Sequence, residues 1–132
     1  MAPAEMLQLA RRAMENAYAP YSGFRVGAVL RSANGKLYAG CNVENAVYPL
    51  GNCAEASAIA AMVQDGEQRI VEALVMGNGE PLVTPCGGCR QRLREFADET
   101  LPIHICDPTG LRRTVTLGEL LPLAFGSDNL GR

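Results

Sequence analysis

Apolar residues near the start of the chain recur with helical spacing. Met6, Leu7, Ala10, Ala13, Met14 and Ala17 share one face, which predicts an amphipathic helix over residues 4–17. Ala19-Pro20-Tyr21-Ser22-Gly23 breaks it, and the period then drops to two. Phe24, Val26, Ala28 and Leu30 fall at every second position, so a strand is expected over 24–31 with these four on one face. Asn34-Gly35 is a hairpin pair, because both residues tolerate the positive φ of a tight two-residue turn. The second strand returns over 36–41.

Residues 42–52 lack a period and contain Pro49 and Gly51, which predicts a loop. An alanine-rich helix follows over 53–65, with Asn52 as its expected N-cap and Gly66 as its stop. The apolar run 71–76 reads as a buried strand, 77–85 as a loop and 86–97 as a third helix. A strand over 102–106, a turn over 107–110 and a strand over 112–116 come next. One helical turn is expected within 116–121, ahead of Pro122 and a short mixed tail. The order α, β, β, α, β, α, β, β predicts an α/β fold, a sheet with helices packed on its faces.

The 132 residues suffice for one domain, 1–132, with a sizeable core. The net charge of -2 argues against a nucleic-acid partner, whose phosphates are held by clustered Lys and Arg. Arg90, Arg92 and Arg94, and further on Arg112 and Arg113, are expected as solvated surface. No apolar run reaches the roughly 18 residues of a membrane span, so no membrane partner is expected. The N-terminus has no basic region followed by an apolar stretch. Together with an odd number of cysteines, 5, this favours metal or redox chemistry over a disulfide framework and points to the cytoplasm.

The chemistry concentrates in Cys53-Ala54-Glu55 and Pro85-Cys86-Gly87-Gly88-Cys89. Each cysteine group opens an expected helix, where free N–H groups and the positive dipole end stabilise thiolates. Three thiolates leave a tetrahedral zinc one ligand short, and a catalytic zinc needs that open position for water. Glu55 lies two residues past a presumed ligand, within reach of such a water without binding the metal. This is the constellation of zinc deaminases in their three-cysteine form. Three other readings stand beside it. One is a structural zinc knot with Cys41 or Cys106 as fourth ligand. Another is a redox pair at Cys86 and Cys89. The third is a zinc-stabilised binding module without activity. The first two leave Glu55 or Cys53 without a role, and Cys41 and Cys106 are expected as small buried hydrophobes. His104, between two isoleucines, is expected to be a packing or surface residue.

Further blocks widen the pattern. They are Ala17-Tyr18-Ala19-Pro20-Tyr21-Ser22, Phe24-Arg25-Val26-Gly27-Ala28, Gly40-Cys41-Asn42-Val43-Glu44-Asn45-Ala46, and Glu119-Leu120-Leu121-Pro122 before Ala124-Phe125-Gly126. With the cysteine motifs, they make the chain resemble the small, homotetrameric type of cytidine deaminase over almost everything from residue 13 to residue 125. The resemblance implies a three-layer α/β/α sandwich around a mixed five-stranded sheet. It also implies one zinc per chain and hydrolysis of cytidine and deoxycytidine to uridine and deoxyuridine plus ammonia, in pyrimidine salvage. A sister enzyme acting on a modified cytidine or a nucleoside antibiotic is the alternative.

The roles it implies are these. Cys53, Cys86 and Cys89 hold zinc, and Glu55 carries protons from water to the pyrimidine N3 and then to the leaving amine. Asn42 and Glu44 bind the ribose 3′-hydroxyl, Phe24 stacks beside the base, Ala54 contacts it through its backbone, and Thr84 offers a carbonyl near the amine. Ala46, Tyr48 and Phe125 reach a neighbouring subunit's pocket. In two places the chain departs from the pattern: Tyr48-Pro49-Leu50-Gly51 before the first cysteine is not its commonest form, and the residue after the glutamate differs. Relatives often carry an arginine directly after the glutamate, bonded to the zinc thiolates, where this chain has Ala56. The helix dipoles are expected to compensate in part, and Arg90 is a candidate substitute.

Overall fold

The computed structural model describes residues 2–132. Helix α1 spans Ala4–Asn16, strand β1 Val26–Ser32 and strand β2 Leu37–Cys41, followed by a 3-10 turn at Tyr48–Leu50. Helix α2 is Ala54–Gln64, β3 Ile70–Gly77, α3 Gly87–Phe96, β4 Pro102–Asp107, β5 Gly110–Thr116 and α4 Leu117–Leu120. A second 3-10 turn, Ser127–Leu130, lies in the tail.

The strands form one five-stranded sheet in the order β2-β1-β3-β4-β5. Only β3 and β4 run parallel, and α3 makes the crossover between them; the other three pairings are antiparallel. Such a crossover places a helix on one face. Met6 and Ala10 of α1 bury against Val29, Leu74, Met76 and Cys106 on one side of the sheet. Ala58, Ile59 and Met62 of α2 and Leu93 of α3 pack with Ala28, Leu30, Ile103 and Ile105 on the other. The result is the expected α/β/α sandwich. Covering both faces also explains why β1 is buried almost throughout instead of alternating. No described helix is long and apolar enough to cross a membrane.

Two local expectations change, and of the two expected readings of His104 the structure takes the packing one. The first strand begins at Val26, so Phe24 lies outside it, 45% exposed, and shares no core face with Ala28 and Leu30. Cys53, not Asn52, is the N-cap of α2. Asn52 is committed elsewhere, exchanging backbone hydrogen bonds with Val43 while its Nδ2 donates to Ser57 Oγ. His104 is a buried polar group: its Nε2 lies 2.7 Å from Glu72 Oε2 and its Nδ1 2.9 Å from Thr114 Oγ1.

Candidate metal centre and active site

Cys53 and Cys86 are the N-caps of α2 and α3, and Cys89 lies in the first turn of α3. The two helices begin side by side, so the three Sγ atoms all fall within 4.8 Å of one another. The Cys53 and Cys86 sulfurs are 4.0 Å apart. Tetrahedral zinc with Zn–S near 2.3 Å needs sulfurs about 3.8 Å apart, so the spacing fits. The position of α2 follows from its approach to β2. A Cβ on Gly40 would lie 2.4 Å from Ala58 N and 2.6 Å from the Ala54 carbonyl oxygen. Only glycine lets the first turns of α2, which carry Cys53 and Glu55, sit that close to the sheet.

The donor chemistry points the same way. Burial pushes the Cys53 and Cys89 thiols above their ordinary range, and nearby negative charge adds to the rise. Burial also raises Cys86, but the Cys89 backbone N–H and the neighbouring thiols outweigh it, and Cys86 ends below its ordinary value. Three thiolates at this spacing therefore coexist at neutral pH only around a cation, and the set fits one zinc ion. Cys106 packs on the α1 side of the sheet and Cys41 is outside the cluster, so neither serves as a fourth ligand. Cys86 is exposed, which leaves one side of the site open to solvent.

Glu55 is 4% exposed, and burial raises its carboxyl above the usual carboxylate range. It opens into a cavity of about 210 Å³ that also takes in Phe24, Asn42, Cys53, Ala54, Thr84 and Cys86. Seven of the expected site residues thus meet in one place. Val26 and Val83 line the same cavity. Val26 was legible only as a strand residue, and nothing in the sequence singles out Val83.

Asn42 and Glu44 also hold the rim in shape. Asn42 Oδ1 accepts from the Val26 N–H and its Nδ2 donates to the Phe24 carbonyl, at 2.9 and 2.8 Å. Glu44 Oε1 accepts from the Tyr21 and Ser22 N–H groups at 3.0 and 3.1 Å, and Oε2 accepts from the Ser22 hydroxyl. The Ser22 hydroxyl and backbone keep the Glu44 carboxyl below its ordinary value. Glu44 and Tyr48 line an adjoining cavity of about 290 Å³ with Tyr21, Ser22, Asn45 and Gly51.

Besides Glu44, which lines the adjoining cavity, three expected residues do not reach the zinc cavity within the chain. Tyr48 is 75% exposed, its ring centroid 6.0 Å from that of Tyr21. Ala46 is exposed nearby. Phe125 is 59% exposed and faces a separate cleft with Gln91 and Glu95. Its backbone carbonyl accepts from Gln91 Nε2 at 2.7 Å, which fixes the tail against α3 and turns the ring outward.

Of the α3 arginines Arg92 is exposed, as expected, whereas Arg90 and Arg94 are half-buried. Arg90 donates to the Pro85 and Leu120 carbonyls and to Thr84 Oγ1, and so ties the Thr84 loop to α4. Arg94 pairs with Asp128 at 3.4 Å. Arg92 Nη1 lies 3.4 Å from Cys89 Sγ. The arginine that bonds a zinc thiolate is therefore Arg92, and the expectation for Arg90 is corrected. Helical geometry is the reason: residues three apart share a face, whereas residue 90 points about 100° away from Cys89.

Residues 2–105 match the family model for the cytidine and deoxycytidylate deaminase zinc-binding region. The chain belongs to that deaminase family. It is 38% identical over 126 residues to a cytidine deaminase of Sporosarcina psychrophila, covering 96% of this chain and 93% of that one. It is 44% identical over 124 residues to a cytidine deaminase of Mycobacterium tuberculosis strain H37Rv, covering 93% and 89%. Among solved structures, the cytidine deaminase from Burkholderia pseudomallei superposes with a TM-score of 0.88 at 40% identity, covering 95% of this chain and 100% of that one. The matched deaminase region contains all three cysteines and Glu55 but ends before Phe125.

Proposed function

We propose that the chain is a zinc-dependent hydrolytic deaminase of cytidine and deoxycytidine. The observation that carries the reading is a buried carboxyl, Glu55, in one cavity with an open three-cysteine site. Zinc bound by Cys53, Cys86 and Cys89 supplies Lewis acidity that brings the pKa of water towards neutrality.

The chain's own residues do the rest. Glu55 takes a proton from the attacking water and delivers it to the pyrimidine N3, which makes C4 electrophilic. Its raised affinity for protons suits this, since a carboxylate that protonates too reluctantly would be a poor base towards the attacking water. As the C4–O bond forms, N3 carries the proton. As the C4–N bond breaks, Glu55 moves a second proton to the exocyclic nitrogen, which leaves as ammonia. The Thr84 carbonyl, on the loop tied down by Arg90, accepts from the departing amine. The Ala54 backbone and the Phe24 ring orient the base in the cavity. Asn42 and Glu44 hold the sugar, and the ionised Glu44 disfavours a 5′-phosphate close to it.

The finer parts of the reading rest on the rim. Exposed Phe24, Tyr48, Leu123 and Phe125 are costly to leave in water and suit burial against other copies in a closed homotetramer. Ala46, Tyr48 and Phe125 would then complete a neighbour's pocket. The cysteines are all unpaired, which fits a reducing compartment, the cytoplasm, and a role in pyrimidine salvage.

The test is ultraviolet absorbance of cytidine, deoxycytidine, a modified cytidine and deoxycytidylate with purified protein, alongside metal analysis. Loss of cytidine and deoxycytidine absorbance with one zinc per chain is expected. Zinc binding without turnover of any cytidine would leave a binding module, and turnover only of the modified base would move the substrate assignment.

A further inference from the structure

Three thiolates around a zinc ion carry a formal charge of -1, and Glu55 adds another negative charge when ionised. Such a site gains from a nearby cation. Helix α2 offers none in its first turn, where Ala56 follows Glu55. Helix α3 offers Arg92, one turn beyond Cys89. Its only side-chain hydrogen bond among the described residues goes to Cys89 Sγ, and it takes part in none of their salt bridges. The neighbouring arginines are engaged elsewhere, Arg90 with neutral oxygens and Arg94 with Asp128.

The backbone beside Arg92 makes room for it. A Cβ on Gly88 would lie 3.3 Å from Arg92 Nη1 and 4.0 Å from Cys86 Sγ. Arg92 Nη1 therefore lies beside the bare Cα of Gly88 while it reaches the Cys89 sulfur. Residue 88 without a side chain and an arginine one turn on form a single arrangement.

We propose that Arg92 is the positioning residue of the zinc site, donating to Cys89 Sγ and balancing the surplus negative charge of three thiolates. This rests on the zinc-deaminase reading above. A hydrogen bond to the sulfur draws electron density from it, so Cys89 donates less to the metal and the metal stays a stronger Lewis acid. The same bond holds the Cys89 side chain in its ligating rotamer. A bond of 3.4 Å to a sulfur near solvent is a weak member of the charge-assisted class, so its loss should be graded and not all-or-none.

The experiment compares wild type, R92Q, R92K and G88A, each purified with zinc and checked for fold by circular dichroism. Zinc retention is measured by competition with a chromogenic chelator at fixed pH, and the sulfur-to-metal charge-transfer band is recorded after cobalt substitution. R92Q should lose zinc about tenfold more readily, which corresponds to ~1.4 kcal/mol, and its band should move to lower energy as Cys89 donates more. R92K should recover part of both effects. G88A should shift the band in the same direction by less, because the flexible guanidinium yields by a few tenths of an ångström. Equal zinc retention and an unmoved band in folded R92Q would overturn the proposal while leaving the deaminase reading intact. Failure of the wild type to bind zinc at all would overturn the deaminase reading itself.

Discussion

The metal centre and the aromatic rim around it are built on opposite terms. The centre is assembled within one chain. Two helix starts meet, three sulfurs converge, and Glu55 is buried beside them. The rim is not. Tyr48 stands on a 3-10 turn, 75% exposed, and Phe125, 59% exposed, lines a separate cleft beside α3. The centre needs sub-ångström placement, so it is mounted on helices pressed against a sheet. The rim needs only to close around a substrate, and exposed aromatics on loops can do this once another copy packs against them. If this contrast is real, damage to the centre should abolish chemistry in every copy, whereas damage to the rim should weaken binding and assembly together.

Glu55→Gln should have the largest effect. Turnover of cytidine should fall by at least ~10²–10⁴, because one group performs several proton transfers, while zinc content and fold persist. Near-normal turnover would remove Glu55 from the chemistry. The same variant carries a stability signature. Burial raises the folded-state carboxyl, so the folded chain holds its proton to higher pH than the unfolded chain does. Stability then declines as pH rises from the unfolded value, roughly 4.3, through the higher folded value. Gln removes that decline. With zinc removed from both proteins, thermal midpoints should coincide near pH 4 and favour the variant at pH 7. A variant less stable than wild type at pH 7 would mean that Glu55 is better paired than its burial indicates.

Rim variants should act next most strongly, and on a different quantity. Tyr48→Ala and Phe125→Ala should raise KM about tenfold with smaller changes in kcat, since truncating a well-buried aromatic contact is worth about 1–2 kcal/mol or more. Sedimentation should show weaker assembly in parallel. A fully active monomer, in either variant or in wild type, would place the complete site within a single chain.

The two regions also differed in how far the sequence disclosed them. The centre was legible because its chemistry is local: Cys53 and Glu55 are two apart, Cys86 and Cys89 three, and each group begins a helix that periodicity located to within a residue or two. The order of elements predicted a sheet with helices on its faces, and the resemblance supplied the three-layer sandwich. What the sequence hid was the competition for backbone groups. Asn52 has the better capping side chain, yet its backbone is taken by Val43, so Cys53 caps α2 instead. Phe24 continues the alternation of β1, yet Asn42 binds the backbone on both sides of Arg25 and holds Phe24 out of the strand. Arg92 was folded into a run of three arginines, although its spacing from Cys89 already set it apart. The rim was legible only through resemblance, because no pattern within one chain reveals a contact made to another.

Gly40→Ala tests whether the centre depends on α2 being pressed against the sheet. A new Cβ 2.4 Å from a helix nitrogen meets backbone, which cannot step aside as a side chain can. A loss of about 1–3 kcal/mol is expected, together with lower zinc content as Cys53 retreats from Cys86 and Cys89. Full zinc occupancy at reduced stability would show that α3 and the metal can pull Cys53 back into place.

The smallest effect should come from Ala56→Arg. If the site needs one cation and Arg92 already supplies it, a second from α2 adds little. Zinc retention should then change less than about twofold, a few tenths of a kcal/mol. The informative measurement is the same substitution in the R92Q background. Independent sites would give additive changes, whereas two residues serving one charge should not. Rescue of zinc retention by A56R in that background, with little effect in wild type, would make the two helices interchangeable sources of one positive charge. An equal gain in both backgrounds would mean that the site is short of more than one cation. No rescue in a folded double variant would show that α3 contributes geometry as well as charge, because only there does the guanidinium lie along Gly88 on its way to the Cys89 sulfur.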